Sequence, residues 1–111
     1  MSRDSMELSE KKCKACEGWE KPFTKAEAEK YLNQVNNWRL SDNQIEKEFR
    51  FKNFKEGLEF VNKVGNIAEE EGHHPDVYLS YRKVIIKLTT HAIKGLSESD
   101  FILAAKIDKS F

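Results

Sequence analysis

His73, His74, His91 and Asp100 are the residues of this chain whose types and spacing most plainly invite chemistry. The first two are adjacent within Gly72-His73-His74-Pro75, and the three histidines are the full supply of a 111-residue protein. Imidazole has an unperturbed pKa of about 6.5, so it gives and takes protons near neutral pH. Confining every histidine to one short stretch points to proton transfer or to metal binding there. Three readings compete on residue types alone. One is acid–base catalysis by histidines. Another is a metal held by three histidines and a carboxylate or water. The third is surface histidines without a chemical role. The spacing is unlike the helical H-x-x-x-H pair, which counts against the metal.

A second constellation, Cys13-x-x-Cys16, stands in a polar, lysine-rich leader. A thioredoxin-type pair sits between a strand and a helix, and no strand pattern precedes this one. A structural zinc would need two more ligands, for which only the histidines are available. Two reduced thiols are the plainer reading.

Composition sets the frame for these residues. Charged residues make up 34% and hydrophobic ones 39%, the balance of one globular domain. Basic and acidic residues number 19 each, so bulk electrostatics give no reason to expect nucleic-acid binding. No apolar run approaches the roughly 20 residues that span a bilayer. The first residues lack the apolar core of a signal peptide, so the expected compartment is the cytoplasm.

The elements that must position the histidines follow from capping and periodicity. Residues 1–22 read as a leader packed on or beside the body, with Leu8 and Trp19 as apolar anchors, and residues 23–111 as a single domain. Thr24 and Glu27 form a capping box for a first helix bearing Ala28, Tyr31, Leu32 and Val35. Asn36-Asn37 stops it, and Trp38-Arg39-Leu40 begins a strand. From Gln44 to Phe51 the chain alternates, with Ile45, Phe49 and Phe51 on one face and Lys47 as the imperfection. Asn53 and Glu56 open a long helix with an apolar stripe of Phe54, Leu58, Val61 and Ala68, widened by Phe60, Val64 and Ile67. Packing on the sheet is the plainer account of that width, and packing of part of it on a partner subunit is the sharper one. Gly72 suits a left-handed helix end, and Pro75 prevents a restart. Strands are expected over Val77–Tyr81 and from Val84 to His91, joined near Arg82-Lys83. Ser97 caps a last helix with Asp100 as its capping-box acid. The order α-β-β-α-β-β-α gives an α+β fold, a four-stranded antiparallel sheet with helices on one face.

The segments Glu69-Glu70-Glu71-Gly72-His73-His74-Pro75, Tyr81, Leu88-Thr89-Thr90-His91 and Gly95-Leu96-Ser97-Glu98-Ser99-Asp100 together resemble the signature of the pterin-4a-carbinolamine dehydratases. Trp38, Phe49–Phe54 and Ala104–Asp108 also look like that family. The resemblance implies dehydration of 4a-hydroxytetrahydropterin to quinonoid dihydropterin within tetrahydrobiopterin recycling. It implies no metal and no cofactor, and a homodimer or homotetramer. His73, His74 and His91 become the catalytic residues, with Asp100 supporting His91; Tyr81 is a candidate for stacking on the pterin. The animal members carry tryptophan two residues after the proline, where this chain has Val77. Non-catalytic relatives that act as scaffolds or assembly partners are the alternative the resemblance leaves.

Overall fold

The computed structural model describes residues 7–13 and 20–111. Cys16, Gly18 and Trp19 therefore lie outside the described residues. A 3-10 turn at Leu8–Glu10 is followed by α1 (Lys25–Leu32), β1 (Arg39–Ser41), β2 (Gln44–Arg50) and α2 (Phe54–Glu71). Then come β3 (Asp76–Ser80), β4 (Lys83–Leu88), a 3-10 turn at His91–Ile93, and α3 (Glu98–Ser110). The strands form one antiparallel sheet in the order β1-β2-β4-β3. The expected α-β-β-α-β-β-α arrangement is the observed one.

Local chemistry accounts for the helix ends. The Thr24 hydroxyl accepts the Glu27 N–H at 3.2 Å while the Glu27 carboxylate accepts the Thr24 N–H at 2.8 Å. Asn53 caps α2 by accepting the Glu56 N–H at 2.9 Å. Gly72 closes that helix at φ +65°, a conformation that costs a side chain with a Cβ roughly 1 kcal/mol or more.

Register decides which residues meet. Ile45 and Phe49 of β2 lie on the same face as Val84, Ile86 and Leu88 of β4, and all five are buried. Phe60, Val64 and Ala68 of α2 and Phe101 to Ala104 of α3 cover that face, so the core lies between sheet and helices. Lys47 shares the core face of β2, and its ammonium reaches Asp108 of α3 at 2.7 Å. The Trp38 indole N–H is 3.1 Å from the same carboxylate, so the break in the alternation is a partnered charge rather than an orphan. The other face of the sheet turns to solvent. Across it, Arg39, Glu46, Lys87 and Asp76 form one cross-strand row of alternating sign.

Four expectations need adjustment. The first helix ends at Leu32 with Asn33 as its cap, so Val35 lies beyond it and Asn36-Asn37 is not its stop. Tyr81 belongs to the β3–β4 turn and is exposed, rather than ending the strand expected over Val77–Tyr81. The fourth strand ends at Leu88, because the chain folds back after it and Thr90 bridges to Gly95. Phe54 and Leu58 are exposed, while Phe60, Val64 and Ala68 form the buried stripe of α2.

Candidate active site

Two histidines leave the end of α2 and one lies in the turn after β4. Where each ring goes is decided within a few residues of Gly72. The left-handed glycine reverses the chain, and the His73 N–H still reaches the Ala68 carbonyl at 3.2 Å. His73 is thereby turned inward, toward the start of α3. Its Nε2 lies 2.6 Å from Oδ1 of Asp100, with 13% of the histidine side chain exposed and none of the aspartate. His74 turns the other way. Its Nε2 lies 2.6 Å from Oε2 of Glu69, and both side chains are largely in water. A ring nitrogen facing a carboxylate carries the proton, so each contact leaves Nδ1 as the nitrogen available for other partners.

Asp100 performs two jobs at once. Its Oδ2 accepts the Ser97 N–H at 3.0 Å, the capping-box contact expected from the sequence. The same oxygen accepts the Thr90 hydroxyl at 2.8 Å, and Thr90 in turn lies 2.9 Å from the Ser97 hydroxyl. Oδ1 is left for His73. A buried carboxylate is tolerated only when such donors replace its lost water, and these do so from three segments of chain. Thr90 is itself placed by its paired backbone contacts with Gly95, at 2.9 and 3.3 Å. Gly95 is packed so closely on Pro22 that a Cβ there would come within 2.6 Å of the Pro22 side chain.

The structure thus corrects one assignment. Asp100 is hydrogen-bonded to His73, not to His91. The exposed His91 ring has no hydrogen-bond partner among the described residues. His91 remains next to Thr90, so the Asp100 network links the turn carrying His91 to the loop carrying His73 and His74. Thr90 and Glu69 were present in the sequence motif without a role. The signal for Glu69 was its place five residues before His74, across a helix-ending glycine that folds the chain back. A cleft of about 430 Å³, lined among others by Phe23, Leu40, Asn43, Gly95 and Leu96, includes none of the four candidates. No group of three or more histidine, cysteine or acidic side chains poised to hold a metal occurs among the described residues. Cys13 is half-buried, and burial foremost, with the charge of Glu71 second, pushes its thiol up to about 12. A thiol so held is a poor nucleophile near neutral pH.

A buried aspartate gripping one imidazole, with a second carboxylate-paired imidazole beside it and a third on the adjoining turn, makes a histidine–carboxylate cluster, the candidate site, on an α+β fold of one sheet and its helices. Comparison with known proteins narrows that class. Residues 21–110 match the model of the family described as pterin 4 alpha carbinolamine dehydratase. A protein of Alkaliphilus metalliredigens named "putative pterin-4-alpha-carbinolamine dehydratase" is 51% identical, covering 92% of this chain and 94% of its own. One of Nitrosomonas eutropha with the same name is 48% identical over 92% of this chain and 91% of its own. Among solved structures, a transcriptional coactivator/pterin dehydratase from Brucella melitensis superposes with a TM-score of 0.77 at 28% identity, covering 80% of this chain and 97% of that one. A pterin dehydratase-like RuBisCO assembly factor of the alpha-carboxysome shares the fold, with a TM-score of 0.59 at 24% identity over 68% of this chain and 89% of that one. This chain belongs to the pterin-4-alpha-carbinolamine dehydratase family.

Proposed function

We propose that this protein dehydrates 4a-hydroxytetrahydropterins, giving quinonoid dihydropterin and water, with His73, His74, His91 and Asp100 as its working residues. The observation that carries the reading is the 2.6 Å contact between His73 and a fully buried Asp100, beside a second carboxylate-paired histidine. The reaction breaks the C4a–O bond and the N5–H bond and forms C4a=N5. Hydroxide leaves poorly unless protonated as it departs, so an imidazolium delivers a proton to that oxygen. The electron pair for the new double bond comes from N5, whose proton passes to a neutral imidazole. Both protonation states coexist near neutral pH only for a side chain such as histidine. Asp100 fixes the tautomer and orientation of His73, as carboxylates do for catalytic imidazoles. Within cells the reaction would serve recycling of tetrahydrobiopterin, and the exposed Phe54 and Leu58 on α2 are the surface on which a partner subunit would pack.

The direct test is the rate at which pure protein accelerates loss of water from a 4a-hydroxytetrahydropterin. His74→Ala and His91→Ala are each expected to lose most of that rate while remaining folded. Full activity in the double substitution would sink the mechanism. Sedimentation should show an oligomer, and a monomer would remove the role given to the α2 face. No helix is long and apolar enough to cross a membrane among the described residues.

A further inference from the structure

Glu71 is the last residue of α2, and its presence there runs against simple electrostatics. The carbonyl end of a helix carries partial negative charge, and the last turn of α2 holds no basic residue. The Glu71 side chain is nevertheless 2% exposed. Its partners come from elsewhere. Oε1 accepts the Cys13 N–H at 2.8 Å, and Oε2 lies 3.5 Å from the Lys106 ammonium and 4.0 Å from that of Lys12. Burial pushes the Glu71 carboxyl up, but these donors outweigh it and hold the group below the usual carboxylate range.

Two of those partners belong to the leader segment Glu7–Cys13. Leu8 anchors that segment in the core, and the Ser9 carbonyl accepts the Lys106 ammonium at 3.0 Å. Lys11 pairs with Glu98 at 2.8 Å, and the Cys13 thiol donates to the Ser99 carbonyl at 3.4 Å. Glu98 and Ser99 immediately precede Asp100, and Glu71 precedes His73 by a single glycine. The leader therefore grips the flank of each member of the His73–Asp100 pair. The segment Glu7–Cys13 also lies wholly before residue 21, where the family match begins.

We infer that the leader strap Glu7–Cys13 sets the geometry of the His73–Asp100 pair, with Glu71 as the positioning residue through which it holds the end of α2. The inference rests on the dehydratase reading for its kinetic arm only. Without the Glu71 tether the last turn of α2 frays, Gly72 is free to redirect the chain, and His73 leaves its carboxylate. Misplacing a proton-transfer group by about 1 Å is enough to cost up to about 100-fold in rate.

The test compares Glu71→Ala and Glu71→Gln in the full chain, using kcat and KM per folded molecule and the downfield ring N–H resonance of His73. In wild type that proton, held to a buried carboxylate, should be slow to exchange and resolved. In Glu71→Ala we expect the resonance to broaden away and kcat to fall about tenfold, with KM within about twofold. Glu71→Gln, whose amide oxygen still accepts the Cys13 N–H, should restore the resonance and most of kcat. Should Glu71→Ala fail to fold, Lys106→Met provides the same comparison with a smaller loss, about threefold. A folded variant with lower thermal stability but an intact resonance and full kcat would overturn the inference, since Glu71 would then serve stability alone. A resonance lost on substitution in a protein whose wild type dehydrates no pterin would support the strap and overturn the dehydratase reading instead.

Discussion

His73 and His74 are neighbours in sequence, and each ring nitrogen lies the same 2.6 Å from a carboxylate oxygen. The two contacts are physically unlike. Asp100 has no exposed side-chain surface, whereas the side chains of His74 and Glu69 are 61% and 78% exposed. In water, charges at hydrogen-bond range are screened and mobile, and such pairs contribute about 0–1 kcal/mol. Excluded from water, the same contact is a constraint, because any departure leaves a polar group without a partner. The pair of histidines thus combines a fixed ring with an adjustable one. A reaction that must place one proton on a leaving oxygen and remove another from nitrogen can use both.

The comparison breaks most sharply at Asp100. Asp100→Ala strips His73, Thr90 and the Ser97 N–H of a shared acceptor. We expect about 3 kcal/mol of destabilisation by urea unfolding and about a 100-fold loss of dehydration rate. A stability loss without a rate loss would reduce Asp100 to a helix cap. Next comes the contrast between the histidines themselves. His73→Ala should cost about 2 kcal/mol by leaving a buried carboxylate short of a donor, while His74→Ala should change stability by under about 0.5 kcal/mol. Both should lose most of the rate, and equal stability effects would erase the distinction drawn between them. Smaller again is Glu69→Gln, for which a severalfold rate loss at low salt should shrink in about 1 M salt, because only the exposed pair is open to screening. A salt-independent loss would show that Glu69 acts as a buried group does.

The mildest effect concerns Glu71, buried like Asp100 but facing a backbone N–H and lysines. Its folded-state carboxyl lies below the ordinary value. Such a group adds stability that is fully present above the unfolded pKa, about 4.3, and is lost as pH falls through the lower folded value. Unfolding midpoints measured from pH 6 downward should therefore drop less steeply in Glu71→Gln than in wild type. Parallel curves would show that the carboxylate is not held as described.

Much of this fold is legible in the sequence because its signals are local. Thr24 with Glu27, Asn53 with Glu56, Gly72, and Ser97 with Asp100 each mark a helix end within three or four residues. The site is less legible because its decisive contact is not local. Asp100 is nine residues from His91 and 27 from His73, and chain proximity favours the wrong partner. Only the inward turn at Gly72, together with the bend of Thr90 toward Gly95, brings His73 to the carboxylate and leaves His91 outside. Lys47 shows the same limit, since its partner Asp108 stands 61 residues away. The leader's grip on Glu71 crosses 58 residues and uses a backbone N–H, for which no side-chain pattern exists.

The open face of the sheet bears on how copies of this protein behave toward one another in solution. With a formal net charge of zero, no long-range repulsion keeps molecules apart near neutral pH. Colloidal behaviour then depends on pattern rather than total. The row Arg39, Glu46, Lys87 and Asp76 gives the uncovered strands a charge checkerboard that matches another copy only in particular alignments. Misaligned sheets meet like charge against like, and dissolved ions weaken the aligned encounters too, so solubility near neutral pH should rise from pure water to moderate salt.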